Sequence, residues 1–351
     1  MNRFFREKKV FLIGGPGGVG KTTLAAALGI ELASQGYKTV VLTVDPARRL
    51  AQALGFEKFV NDLQQVPLPG AKGTLHASML DAQRYLDRVV EKFATRPGQR
   101  EKILSNPLYK IMVDSLGGTV EYAAMERLLE FVQDPRYEKI VVDTPPSQNA
   151  LELLSAPQRM ADFMDNGVLR WFQGQSPRYL MIFKQGTKIA MKLLQRIFGS
   201  EFLNKLGQLL DDIEGMQGGF RERHLEVLSL LKSRETAFFL VTTPSDGRFE
   251  EALGFAATLR DQGVPLAGLI LNQLEPPVPD KVPATVEIDT VTRKEIDSLL
   301  HYHHALYQAE QKWTERFASA LAQIPRWLVP RQPQPPQDVA GLSRLSAFLV
   351  S

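Results

Sequence analysis

The stretch Gly15-Pro16-Gly17-Gly18-Val19-Gly20-Lys21-Thr22-Thr23 fits the phosphate-loop pattern G-x-x-x-x-G-K-[ST] and stands where such a loop can work. Before it, Val10-Phe11-Leu12-Ile13 is a short apolar run that reads as a buried strand. After it, Thr22 to Gln35 carries Ala25, Ala26, Ala27, Leu28, Ile30, Leu32 and Ala33, a helix-forming stretch stopped by Gly36. Glycines let backbone N–H groups wrap an anion, and the helix N-terminus adds a positive dipole. The expected nucleotide cradle is therefore Gly17, Gly18, Val19, Gly20, Lys21, Thr22 and Thr23, with a nucleoside triphosphate as the ligand. In it Lys21 reaches the β- and γ-phosphates as a catalytic cation, and the Thr22 hydroxyl sits on Mg²⁺.

The same letters admit a second reading. Gly15, Gly17 and Gly20 also satisfy G-x-G-x-x-G, and Asp45 ends the next strand, as a dinucleotide site requires. Lys21-Thr22-Thr23 is the added information, because a dinucleotide fold has no need of Lys-Thr at that helix start. The phosphate loop is the stronger reading.

Composition sets bounds. The chain has 351 residues, 44% of them hydrophobic and 23% charged, ordinary for a globular protein with one large α/β domain or two modest ones. No apolar run nears the roughly 18 residues that cross a bilayer. The basic start Met1 to Arg6 precedes too short an apolar run for a signal peptide, so a cytoplasmic location is expected. A net charge of +3 gives no argument for a nucleic-acid partner. There are no cysteines, which excludes disulfides, thiolate-bound structural zinc and thiol capture of arsenite.

Near-continuous apolar runs recur as Lys38 to Val44, Lys139 to Val142, Thr236 to Thr242 and Leu266 to Leu271, with Gln323 to Val329 as one more strand and Val339 to Val350 as a final helix. Such runs, separated by helical segments, predict an α/β fold: a phosphate-loop NTPase with a mostly parallel sheet and helices on both faces. Two stretches with helical period, about 82–132 and 157–232, predict a helical subdomain inserted into a single domain spanning 1–351. Proline-rich loops lie at Glu275 to Pro283 and Arg331 to Gln337.

Other positions carry chemistry, each beside a plainer role. Asp45, followed by Pro46, is a good helix N-cap; it is also a candidate to orient the water that attacks the γ-phosphate. Asp143 closes a buried strand before Thr144-Pro145-Pro146, as a turn former or as a Mg²⁺-shell carboxylate. Asn272, ending another strand, caps its turn or meets an adenine edge. His301, His303 and His304 read as a solvated helix face, with metal binding as the alternative. Lys184, Lys188, Lys192 and Arg196 form a basic stripe on an amphipathic segment, Tyr179 to Phe198, and Met160, Met164, Met181, Met191 and Met216 fall in the same helical stretch. That surface packs on the domain, or meets a membrane or an apolar partner.

Taken together, these residues resemble the arsenite-pump ATPase family, which also contains the ATPase that targets tail-anchored membrane proteins. Gly15 to Thr23 is similar to its GKGGVGKTT loop, Asp45-Pro46-Ala47 to the DPAH of switch I, Asp143-Thr144-Pro145-Pro146 to the DTAP of switch II, and Asn272-Gln273-Leu274 to its adenine-side NQL. Stretches similar to Glu121-Tyr122-Ala123-Ala124-Met125-Glu126 and Gly219-Phe220-Arg221-Glu222-Arg223 occur in bacterial members. The resemblance implies a slowly hydrolysing Mg-ATP switch, a homodimer or paralogue heterodimer, that moves a client, an apolar or membrane-associated protein. In it Asp45 positions water, Thr22 and Asp143 hold Mg²⁺, and Asn272 contacts adenine. This chain departs from the family in having Pro16 where the loop has a signature lysine, and proline offers neither charge nor N–H. Arg48 or Arg49 is the candidate replacement cation. The alternatives are a nucleotide-dependent binding module with little hydrolysis, or an ATPase attached to anion transport.

Overall fold

Five consecutive buried residues, Val10–Gly14, form β1, and the sheet is arranged around this strand. The structure is a computed structural model that describes residues 3–44, 49–56, 62–115, 119–145, 200–214, 217–283 and 285–350. Its described strands are β1, β2 (Lys38–Thr43), β3 (Leu63–Val66), β4 (Thr74–Met79), β5 (Lys139–Asp143), β6 (Thr236–Thr242), β7 (Leu266–Leu274) and β8 (Arg326–Pro330). They form one sheet in the order β3-β4-β2-β5-β1-β6-β7-β8. Each neighbouring pair is parallel except β3 with β4, which is antiparallel. The chain is thus an α/β phosphate-loop fold with a mostly parallel sheet. Strands buried on both faces explain the unbroken apolar runs of β1, β5 and β6.

β3 and β4 carry no such run, and sequence pattern does not predict them. Leu63-Gln64-Gln65-Val66 is an edge strand with Val66 as its buried residue, and in β4 the buried side chains include Leu75 and Ala77, set between polar neighbours.

The chain clusters into two compact units. The first comprises Met1–Met79, Glu130–Leu151 and Leu230–Ser351, and it holds the sheet. Helix α2 (Lys21–Ser34) lies against β1 and β2, and its alanines leave room for close approach. On the same face Phe5 stacks on Phe11 and Phe239 at centroid distances of 5.9 and 6.2 Å and meets Trp327 edge-on at 6.1 Å. Phe5 belongs to α1 (Arg3–Glu7), which is tied down by a buried cation. The Lys139 ammonium donates to the carbonyls of Phe5 and Arg6, each at 2.9 Å, and to that of Lys8. Burial pushes its pKa below the usual lysine range.

The second unit comprises Leu80–Leu129 and Glu152–Ser229. Its described helices are α4 (Ala82–Phe93), α5 (Gln99–Ser105), α6 (Pro107–Ser115), most of α7 (Thr119–Gln133), α8 (Ser200–Glu214) and most of α9 (Gln217–Lys232). Gln99 and Asn106 tie α5 and its C-cap to α8 by donating to the carbonyls of Asp212 and Lys205. α7 and α9 are joined by a buried ion pair: Arg223 Nε donates to Glu126 Oε2 at 3.0 Å, and Tyr122 donates to Glu126 Oε1 at 2.9 Å. Burial, then the Glu126 charge, pushes the Tyr122 phenol well above its ordinary pKa. Glu126 is 2% exposed, so Arg223→Ala strands a buried carboxylate. The expected cost is about 3–5 kcal/mol, read by urea denaturation, and a loss below about 1 kcal/mol would show the pair to be dispensable.

The remaining helices of the first unit are α3 (Arg49–Ala53), α10 (Asp246–Asp261), α11 (Thr290–Ala320) and α12 (Val339–Val350). Among the described residues no helix is long and apolar enough to cross a membrane.

Candidate functional site

The loop between β1 and α2 is held in shape by side chains that arrive from helix α10 and strand β7, far away in sequence. Arg248 Nη2 donates to the Gly17 carbonyl at 3.0 Å, Gln273 Nε2 to Gly18 at 3.4 Å and Asn272 Nδ2 to Val19 at 2.8 Å. Adjacent strand residues ordinarily face opposite sides of a sheet. Here the register of β7 slips between Leu271 and Leu274, and Gln273 takes a φ of 60°, so Asn272 and Gln273 both turn to the loop. The approach is close: a Cβ on Gly20 would lie 2.4 Å from Asn272 Nδ2. The peptides are trans, so turning three successive carbonyls toward these donors aims the N–H groups of Gly18, Val19 and Gly20 the other way. Such a run of N–H groups is an anion nest. Lys21, the first residue of α2, is 8% exposed and curls back so that Nζ donates to the Pro16 carbonyl at 2.8 Å.

Beside the cradle, Thr22 Oγ1 donates to Asp143 Oδ2 at 2.7 Å, and Thr43 Oγ1 donates to the same oxygen at 2.9 Å. β2, β5 and α2 thus meet at one carboxylate, which is 1% exposed. Strand pairing places it there, since Asp143 is level with Ile13 of β1 and with Thr43 of β2. Thr144 Oγ1, next along, donates to the Ile13 carbonyl at 2.9 Å. The donor set here is oxygen only, a hydroxyl and a carboxylate, which suits Mg²⁺ and not a thiolate-seeking metal. Thr22 spends its proton on Asp143, which leaves its oxygen lone pairs for a cation.

The cradle opens into a cavity of about 760 Å³, within the usual range for small-molecule sites of roughly 300–1,000 Å³. Gly17, Gly18, Gly20, Lys21, Thr22, Thr23 and Thr144 line it together with Gln52, Phe56, Pro336 and Gln337. Every one of these residues belongs to the first unit. The site sits at the carboxyl ends of parallel strands, where open α/β sheets bind ligands.

The sequence model of the anion-transporting ATPases (ArsA ATPase) matches residues 8–316. The chain belongs to the ArsA-type anion-transporting ATPase family. It is 28% identical over 292 residues to the ATPase GET3B of Arabidopsis thaliana, a match covering 77% of this chain and 65% of that protein. It is 26% identical to the ATPase ARSA1 of Chlamydomonas reinhardtii over 85% of this chain and 38% of the relative. With the ATPase ASNA1 homolog 1 of Paramecium tetraurelia the identity is 26%, over 76% of this chain and 75% of the relative. ATPase is thus the class of the family, and Lys-Thr at the helix start belongs to that class and not to dinucleotide binders.

Of the positions that the family resemblance singled out, Lys21, Thr22, Asp143 and Asn272 come together at the cradle. The contact seen for Asn272 is with the Val19 carbonyl. Asp45 and Arg48 lie outside the described residues, as do the Arg49 side chain, the basic segment Tyr179 to Phe198 and the five methionines named with it. The Glu121–Glu126 stretch and Arg223 meet through the Glu126 ion pair. The histidines are spoken for by neighbours: His301 Nδ1 lies 2.7 Å from Asp280 Oδ1 and His304 Nδ1 lies 3.0 Å from the Val278 carbonyl. Among the described residues no group of three or more His, Cys, Asp or Glu is placed to hold a metal ion. Sequence reasoning missed Arg248, Gln273, Pro336 and Gln337 as site residues. A signal existed for Gln273, which follows Asn272 in the NQL triplet, and none for Arg248.

Proposed function

We propose that this chain binds Mg-ATP at the Gly17–Thr23 cradle and hydrolyses it slowly, as a cytoplasmic switch that couples the reaction to a client. The observation that carries this is the meeting of Lys21, Thr22 and Asp143 beside a nest of backbone N–H groups. The N–H groups and Lys21 bind and orient the phosphates, and Lys21 balances charge that develops on the transferring group. Thr22 and Asp143 would hold Mg²⁺, which when bound neutralises charge on the phosphate oxygens. Asp45 is the residue assigned to orienting the attacking water, whose oxygen bonds to the γ-phosphorus as the bond to ADP breaks. The family resemblance gives Asn272 to the base, and Pro336 and Gln337 line the same cavity as the cradle.

Asp143 also accepts from Thr43 at the end of β2, the strand that leads to Asp45. A shift of that carboxylate is therefore felt at both segments that resemble switches, which is the physical basis for coupling. The family resemblance supports a dimer, with the second unit as the helical part that engages an apolar or membrane-associated client. The missing lysine at Pro16 favours a second reading, nucleotide-dependent binding with little turnover.

Asp143→Asn tests the first reading. Asparagine can still accept both hydroxyls through Oδ1, so the fold is expected to survive. Turnover at saturating Mg-ATP should fall at least about 100-fold, with metal-free nucleotide binding little changed. Equal turnover in parent and variant would remove Asp143 from the chemistry. A parent without measurable turnover that still binds ATP would favour the second reading.

A further inference from the structure

Arg248 lies in the first turn of α10 and reaches back to the loop across more of the chain than any motif spans. Its guanidinium is held at two points. Nη1 donates to Glu251 Oε2, one turn along its own helix, at 3.0 Å, while Nη2 donates to the Gly17 carbonyl at 3.0 Å. The peptide it grips is otherwise poorly held. Gly17 and Gly18 are exposed, and no atom lies within 4 Å of where a Cβ on either would stand. A peptide between two glycines turns over at little cost. Turned over, it would direct a carbonyl oxygen, not an N–H, at the place where a phosphate oxygen must sit. Asn272 and Gln273 hold the next two peptides, and Arg248 holds this one.

We infer that Arg248 is a positioning residue for the phosphate loop: it keeps the Gly17 carbonyl turned outward so that the Gly18 N–H stays aimed at a nucleotide phosphate. The inference rests on the nucleotide site proposed above. Arg248 acts through the loop and touches no reacting atom, so its contribution is to binding that ground state and transition state share.

The test uses the full chain as parent, Arg248→Ala and Arg248→Lys, with a fluorescent ATP analogue for binding and phosphate release for turnover. Each is measured in dilute buffer and at about 0.5 M salt, where charges are screened beyond roughly 4–5 Å. Arg248→Ala is expected to weaken analogue binding and raise KM about tenfold at both salt concentrations, with kcat within about twofold of the parent. Arg248→Lys, which can still donate to the carbonyl, should recover most of the loss. Nucleotide-free melting temperatures should agree among the three proteins.

Alanine binding that matches the parent overturns the inference. So does a defect that disappears at high salt, which would make Arg248 a long-range charge and not a positioning residue. A lysine variant as weak as alanine, or an alanine variant that melts early without nucleotide, overturns it as well. If the parent itself binds no analogue, the nucleotide site and this inference fall together, whereas parent binding that Arg248→Ala leaves intact overturns the inference alone.

Discussion

Lys21→Ala should lower ATP turnover at least about 100-fold and weaken nucleotide binding, while leaving a folded protein. Lys21 opens α2, so its ammonium stands at the helix end that already favours anions, and its side chain is folded inside the loop on the Pro16 carbonyl. A cation worth little in bulk water gains strength in such a buried position. Folding should survive, because alanine keeps the helix and removes a charge whose burial is itself costly. The Pro16 carbonyl loses a donor, a penalty of about 1–3 kcal/mol at most. Turnover and melting temperature measured side by side decide the matter; turnover within about threefold of the parent would remove Lys21 from the reaction.

Gly15→Ala is expected to act on stability instead. Gly15 has a φ of +148°, a backbone conformation that side-chain-bearing residues rarely adopt, and an added Cβ would lie 2.0 Å from the Val241 carbonyl oxygen. That neighbour is backbone of β6, paired with β1 residue by residue, so no rotamer change relieves the overlap. A loss of about 4 kcal/mol or more should follow, lowering Tm by roughly 10 °C. Gly17→Ala serves as control within the same loop. No atom lies within 4 Å of its Cβ position, and its cost should stay within about 0.5–1 kcal/mol. Equal melting temperatures for both variants would refute the argument.

The cradle was legible in sequence because its requirements are local: small residues where backbone must wrap an anion, then Lys-Thr to begin a helix. Asp143 was legible for a similar reason, since a carboxylate ending a fully buried run stands out. α12 was readable to its ends, Val339–Val350, from helical pattern after a proline-rich loop. β3 and β4 were not, because a short edge strand and its neighbour, built with small and polar residues such as Gln64, Ala77 and Ser78, carry no apolar run. Arg248 and Gln273 were hidden for another reason. Their meaning lies in the strand order, which brings β6 beside β1 and β7 next to it. A charged residue in the first turn of α10 looks like surface until that order is known. Asn272 was picked out by its triplet, yet its contact with Val19 depends on a β7 bulge that no local pattern announces.

β1 has hydrogen-bonded strands on both sides, and further strands beyond each of those. In a fold of this kind such a strand belongs to the region that opens last. The cradle is welded to it at one end and to buried α2 at the other. The two ends of the cradle therefore stay in place around a bound nucleotide, because moving them would require melting the middle of the sheet. The nucleotide has to leave through the mouth of the cavity. Of the residues that line that cavity, Gln52, Phe56, Pro336 and Gln337 stand on a short helix and on loops, away from the anchored strand. Substitutions that tune how long this chain remembers its nucleotide belong there, at sites where the fold has little to lose.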